Sequence, residues 1–369
     1  MSSTNDVRLA VVGLGKMGIS HFAIANATTG VDVVAVSDSS KLVTQGFQRF
    51  LKVSTYSDYD KLLDAVELDA VMIAVPTRYH FEMAKTALDR GIHVFCEKPL
   101  TLSGAESDAL GELALEKKLV GQVGYHNRFV ATFGEAQRLI ASGAIGRVRH
   151  VQAEAYGPVV LKPTAETWRS SPEQGGGCLY DYAAHPINLM NWYVGRPTEC
   201  IGADLTHQYS AGVEDAVYAD LRFADGVTGQ VSVNWSDDSV RKMTTKLTIW
   251  GDGGRISVDR QELQVFANGK ADIPEGYNKG WTVRYITDLT PNVGYYLRGE
   301  EYSAQVESFR SAIQSGETAP VNDFASAAAT DFTMEMIRQR FNEGPQIVDA
   351  GVRPQPAKQR GLLAKVLGR

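Results

Sequence analysis

The 369-residue sequence predicts two folded units in series: an α/β unit on a doubly wound parallel sheet, then an α+β unit on a large, mostly antiparallel open sheet. Three observations carry this. Apolar runs alternate with helical patterns through the first third, a glycine turn joins the first run to the first helix, and the grammar changes past about residue 145. The early runs lie at 8–12, 31–36, 70–75, 93–96 and 120–123, separated by helical patterns such as 81–90 and 106–117. Largely apolar runs of this length suit strands covered on both faces. The later segments, at 147–156, 213–223, 227–235, 243–250 and 263–267, are extended, β-branched and often alternating, with turns at 225–226 and 251–254. Two helical stretches, 302–314 and 323–341, cover that sheet or return to the first unit. The expected division is 1–125, 126–350 and a basic tail at 351–369.

The turn reads GLGKMG over 13–18, and the second strand after it ends at Asp38. Strand, glycine turn, helix, and a strand with an acid at its end form the layout of a Rossmann-type dinucleotide site. Gly13 allows the tight turn, Gly15 lets the backbone approach a pyrophosphate, and Gly18 lets helix and strand pack closely. The helix N-terminus then aims free N–H groups at the anion. Lys16 can cover the pyrophosphate with its backbone and stem. The cofactor-binding set here is Gly13, Gly15, Lys16, Met17, Gly18 and Asp38, with the side chains of Met17 and Ile19 also read as packing on the helix. Asp38 can accept from a ribose diol and would repel a 2′-phosphate, so NAD is expected in preference to NADP.

Bulk properties narrow the partners. Lys and Arg number 37 against 43 Asp and Glu, a net charge of −6, which gives no broad attraction to nucleic acid and favours a small-molecule substrate. Cys96, Cys178 and Cys200 lack metal-ligand spacing, so neither a disulfide framework nor a metal site is expected. The N-terminal MSSTNDVR has no apolar core of a secretory signal, and no apolar run approaches the ~18 residues that span a bilayer, so the cytoplasm is the expected address. The tail carries Arg353, Lys358, Arg360, Lys365 and Arg369 without an acid, beside Leu362, Leu363, Val366 and Leu367. It reads as a solvated tail or a small docking helix on a neighbouring subunit, with membrane-surface contact as the alternative.

Three further segments, AVPTRYH at 74–80, EKP at 97–99 and GGGCLYDYAAH at 175–185, resemble in order and spacing the glucose-fructose oxidoreductase, inositol dehydrogenase and rhizopine catabolism (Gfo/Idh/MocA) family. The resemblance runs from about residue 8 to 341. It implies that Lys98 points at the substrate hydroxyl beside the nicotinamide of NAD, and that Asp181 and His185 complete the catalytic set. Glu97, Pro76, Thr77 and His80 would lie along the cofactor. Trp168 and Arg169 resemble the family's pair on the loop that meets substrate, and YHNRF at 125–129 its aromatic and arginine-rich segment, which adds Tyr125 and Arg128 to the substrate side. The family also implies a carbohydrate substrate and a homo-oligomer, dimer or tetramer. Two residues depart from its pattern: Ala183 replaces the glycine common before the His, and Asn188 stands where an Asp frequently follows it.

These residue types suit alcohol oxidation. A proton acceptor works best with a pKa near the operating pH, where His starts. His185 follows Asp181 by four residues, so on a helix both project from one face, and Asp181 can orient the imidazole or grip a neighbouring hydroxyl. Lys98 supplies positive charge where alkoxide character develops. Tyr156, with Asn234 and Trp235, lines the sugar pocket or serves as core. His21, His93, His150 and His207 read as structural; His126 lies near the cofactor or packs against the first unit. Residues 175–177 are part of the site or a flexible loop. The expected function is an NAD(H)-dependent oxidoreductase acting on a ring hydroxyl of a sugar, nucleotide sugar or inositol. The alternatives are a redox-neutral elimination or epimerisation with tightly held NAD, and a non-catalytic NAD-binding sensor.

Overall fold

The computed structural model describes residues 6–51, 53–163 and 167–344. Its first sheet is parallel, in the order β3-β2-β1-β4-β5-β6. The strands are β1 (Val7–Val12), β2 (Val31–Ser37), β3 (Ser54–Tyr56), β4 (Ala70–Ile73), β5 (His93–Cys96) and β6 (Gly121–Val123). Between them run α1 (Lys16–Ala27), α2 (Lys41–Leu51), α3 (Tyr59–Ala65), α4 (His80–Asp89) and α5 (Gly104–Glu116). The strand order reverses between β1 and β4, so their carboxyl ends open a crevice for a ligand.

After α6 (Ala131–Ala141) comes β7 (Val148–Tyr156), then α7 (Ala184–Val194), then β8 (Glu199–Thr206), β9 (Ala216–Arg222), β10 (Thr228–Asn234), β11 (Lys246–Gly251), β12 (Gly254–Asp259), β13 (Glu262–Ala267) and β14 (Gly280–Tyr285). The second sheet has the order β14-β13-β12-β11-β7-β10-β9-β8, and β7 with β10 is its parallel pair. The short α8 (Ile286–Leu289) leads to α9 (Glu300–Ser315) and α10 (Phe324–Asn342), the latter capped by the Asp323 carboxylate on Ser326 N.

Alternate residues of the first sheet feed two cores. Leu9, Val11, Met72 and Phe95 face α1 and, from the far end of the chain, Val306, Phe309 and Ala312 of α9. Ala10, Val71, Ile73, Val94 and Cys96 face a second core that continues under the antiparallel sheet. The return of the late helices is thus resolved: α9 completes the first layer, and α10 packs between α5, α7 and β8. Each fully buried Leu or Phe in such a core stabilises by about 1.5–3 kcal/mol, and the second core is common to both sheets.

Several differences from the sequence reading have physical causes. The run at 213–223 becomes a strand only from Ala216, because Glu214 and Asp215 are turned to other work described below. β3, β8, β12 and β14 were not among the expected strands: the first is three residues long, and β14 has no buried residue along its length. The open face of the second sheet carries Tyr156, Tyr218, Trp281, Val283 and Tyr285. All three cysteines are free and buried. No helix among the described residues is long and apolar enough to cross a membrane. The basic tail lies outside the described residues.

Candidate active site

The glycine turn is built as its spacing predicts. Gly13 adopts φ +86°, and a Cβ there would meet Ala74 O at 2.5 Å; at Gly18 a Cβ would meet Gly13 O at 1.7 Å. At Gly15, which begins α1 and has no side-chain cap, a Cβ would meet nothing within 4 Å. Crowded, open, crowded is the cradle a pyrophosphate needs: the backbone is tight where it turns and bare where the anion approaches. Asp38 closes the far side, accepting from Leu14 N at 2.6 Å and Ser40 N at 2.8 Å, at the end of β2 where a ribose would sit. These residues fit a dinucleotide.

The loop after β4 continues the crevice with Pro76 and buried Thr77. His80, fully enclosed at the start of α4, lies with its ring nitrogens 2.9 Å from the carbonyl oxygens of Val75 and Pro99. It ties the β4 and β5 loops together instead of lining the cofactor, and burial pushes its pKa down.

Glu97 and Lys98 follow β5. Glu97 Oε1 lies 2.6 Å from His21 Nε2 on α1, and Oε2 accepts from Lys98 N at 3.1 Å. Burial raises the pKa of Glu97, but the His21 hydrogen bond and the Lys98 charge outweigh it and hold the group below the ordinary carboxylate value. His21 is therefore partner to Glu97 and not an isolated structural histidine; the two are 76 residues apart, so no local pattern pairs them.

Lys98 Nζ donates to Asp181 Oδ1 at 2.8 Å and to the Asp181 carbonyl at 2.8 Å. Arg169 Nε donates to Asp181 Oδ2 at 3.0 Å, its guanidinium lying 4.7 Å over the Trp168 ring. Burial opposes ionisation of Asp181, but the charges of Lys98 and then Arg169 prevail and keep it ionised far below its usual range. The segment Leu179–Ala183 is a π-helical turn running into α7. Asp181 makes no hydrogen bond to His185 and does not orient the imidazole that way. The carboxylate is held by two cations, and His185 Nδ1 is buried without a hydrogen-bond partner.

His185 sits instead in an aromatic stack. The His126 ring meets it edge-on at 4.9 Å and stacks on Tyr302 at 4.7 Å, and Tyr125 approaches from another side at 6.2 Å. Burial, then the Lys98 charge, then His126, push the His185 pKa well below its ordinary value. Burial and the charge of Arg260 push His126 down to about 3. Both rings are neutral at neutral pH.

Two residues assigned to the substrate side lie elsewhere. Arg128 is buried between helices, donating to Asn188 Oδ1 at 2.8 Å and lying 5.3 Å over Trp192. Asn188, a departure from the family pattern, is this arginine's partner and donates to Thr330 Oγ1 at 3.0 Å. Tyr156 points to the open sheet face, its hydroxyl 2.7 Å from Ser232 Oγ, because it follows the alternation that puts Ala153 and Ala155 in the core. Trp235 is core, donating from Nε1 to Asp215 at 2.7 Å and packing on Tyr182. Glu214, missed in the sequence, holds the backbone ahead of Asp181; two acids interrupting an apolar run were its signal. No cluster of metal-ligating side chains occurs among the described residues.

Residues 7–125 match the family described as an oxidoreductase family with an NAD-binding Rossmann fold, and residues 133–257 match the Gfo/Idh/MocA C-terminal domain. The chain belongs to the Gfo/Idh/MocA oxidoreductases, and its first unit is their NAD-binding domain. Among relatives, levoglucosan dehydrogenase of Pseudarthrobacter phenanthrenivorans is 28% identical over 305 residues, covering 72% of this chain and 78% of its own. The NAD(+)-dependent scyllo-inositol 2-dehydrogenase of Bacillus subtilis is 26% identical over 330 residues, covering 86% and 90%. A solved levoglucosan dehydrogenase in complex with NADH aligns with a TM-score of 0.80 at 23% identity, over 92% of this chain and 97% of that one, and bears on the fold.

Proposed function

We propose that this protein is an NAD(H)-dependent dehydrogenase acting on a ring hydroxyl or keto group of a carbohydrate, a sugar, nucleotide sugar or inositol. The observation that carries the reading is the meeting of Lys98, from the NAD-binding unit, with Asp181, on the turn that leads into the helix of His185. Bound NAD+ supplies the hydride acceptor. Two of the three Lys98 ammonium protons are directed at Asp181, and the third is available to a substrate oxygen, where it stabilises developing alkoxide. Neutral His185 is the form that accepts the hydroxyl proton; its depressed pKa keeps it in that form but makes it a weaker base than the near-neutral histidine expected from the sequence. Asp181 holds the ammonium in place and anchors Arg169, which is half exposed over the Trp168 ring.

The test is NAD+ reduction, followed at 340 nm, over a panel that includes levoglucosan, scyllo-inositol, myo-inositol and D-xylose together with nucleotide sugars. Steady NADH formation with at least one member is expected. Conversion of a sugar without net NADH would replace this reading with a redox-neutral one.

A further inference from the structure

We propose that Glu214 is a positioning residue for the active site: it holds the start of the helix that carries Asp181 and His185 by hydrogen-bonding its first amides. The proposal rests on the catalytic reading above. Glu214 is 3% exposed and sits just ahead of β9, where the sequence would have continued a strand. Its carbonyl accepts from Cys178 N at 3.0 Å, and its Oε1 accepts from Leu179 N at 2.9 Å. Those are the amides that open the π-helical turn, two and three residues before Asp181. The side chain thus takes one amide, that of Leu179, and a carboxylate on an amide at a helix start is favoured by both the hydrogen bond and the helix dipole. Arg338 of α10 approaches the same carboxylate at 3.3 Å from the other side.

The glycines at 175–177 are shaped around this contact. Gly177 has φ +105°, and a Cβ there would meet Glu214 Oε1 at 2.4 Å. At Gly176 it would meet Arg169 O at 2.3 Å, and at Gly175, φ +82°, it would meet Thr77 Oγ1 at 2.9 Å. The triplet is thus a packed junction. It presses the β4 cofactor loop, the Arg169 backbone and Glu214 against one stretch of chain. The neighbouring Asp215 extends the seat, taking Trp235 Nε1 and the amides of Gln208, Tyr209 and Ser210, while Trp235 supports Tyr182. Reach is what Glu214 contributes. Asp is one methylene too short for Leu179 N, whereas Gln keeps an acceptor in the same place.

The experiment compares E214Q, E214D and E214A by amide hydrogen exchange of the peptide spanning 177–184, by NADH affinity, and by kcat on the best substrate of the screen. Expected is the order Glu and Gln above Asp and Ala: exchange at least about tenfold faster and kcat at least about tenfold lower in E214D and E214A, with NADH affinity within about twofold. E214Q stays within about threefold of the parent on each. Unchanged exchange in E214A, or E214Q as impaired as E214A, overturns the proposal, and so does full activity of E214D, which would make the charge alone responsible. If E214A does not fold, the contrast between E214Q and E214D decides. Absence of any turnover by the parent protein would count against the proposed function, while the exchange measurement still decides the role of Glu214.

Discussion

At the scale of single residues, the proposed chemistry is divided between two side chains that depend on different surroundings. Lys98 is anchored on Asp181; His185 is neutral because burial, and then the neighbouring Lys98, oppose a positive charge on the ring. Replacing His185 with Asn removes the proton acceptor and is expected to lower kcat about 10²- to 10⁴-fold, with NADH binding, read by fluorescence titration, nearly intact. Lys98→Met should act similarly. Near-parental turnover in both variants would end the assignment. A base acts only when neutral, so activity is lost as pH falls through its pKa. Since that pKa is depressed, kcat/KM in the parent should hold level as pH drops through about 6.5, the ordinary histidine value, and fall only below it.

At the scale of elements, the glycine turn separates folding from binding. An alanine at 15 puts its methyl into space that the protein itself leaves empty, at a backbone φ of −70° that alanine accepts. G15A is therefore expected to melt like the parent and to bind NADH at least about tenfold more weakly, a loss of ~1.4 kcal/mol. An alanine at 18 drives its methyl into the Gly13 carbonyl, so G18A should lower the melting temperature as well, by the equivalent of about 1–3 kcal/mol. Equal melting of the two variants would refute this division. The turn was legible because each glycine's task is local. So were the buried parallel strands, whose apolar runs need no partner to be recognised, and the two motifs whose Lys98 and Asp181 meet in the folded chain. The His21–Glu97 pair, the docking of α9 on the first sheet and the grip of Glu214 were not, because each joins segments whose proximity only the folded chain creates. The local spacing of Asp181 and His185 also hid the carboxylate's actual partners, Lys98 and Arg169, which lie on other segments. Strict alternation along β7 could have warned that Tyr156 faces away from the site.

At the scale of the whole molecule, α10 links the two halves of the site. Its Asp331 Oδ2 accepts from Thr101 N at 3.1 Å and from Ser107 Oγ at 2.7 Å, and its Glu335 accepts from Gly104 N at 3.1 Å, so two of its carboxyl groups hold the segment between Lys98 and α5. Its other face takes the amides of Asn188 and Asn191 on the helix of His185. Asp331 Oδ1 is buried without a partner, and burial, opposed by the Ser107 and Thr101 bonds, raises the group's pKa from 3.8 to about 7. A folded-state pKa above the unfolded one means the native chain holds the extra proton between those values. The contribution to stability is complete below about pH 4 and is lost as pH rises toward about 7. The substitution Asp331→Asn keeps an acceptor for Thr101 N and Ser107 Oγ while leaving nothing to ionise. The melting temperature of D331N relative to the parent should therefore climb by a few degrees between about pH 5 and about pH 8.5, in favour of the variant. The diagnostic is the divergence of the two curves, since a fixed offset would report only packing at the altered side chain. Parallel curves across that interval would mean that Asp331 is ionised in the native protein throughout, and that α10 holds the Lys98 loop with a charge.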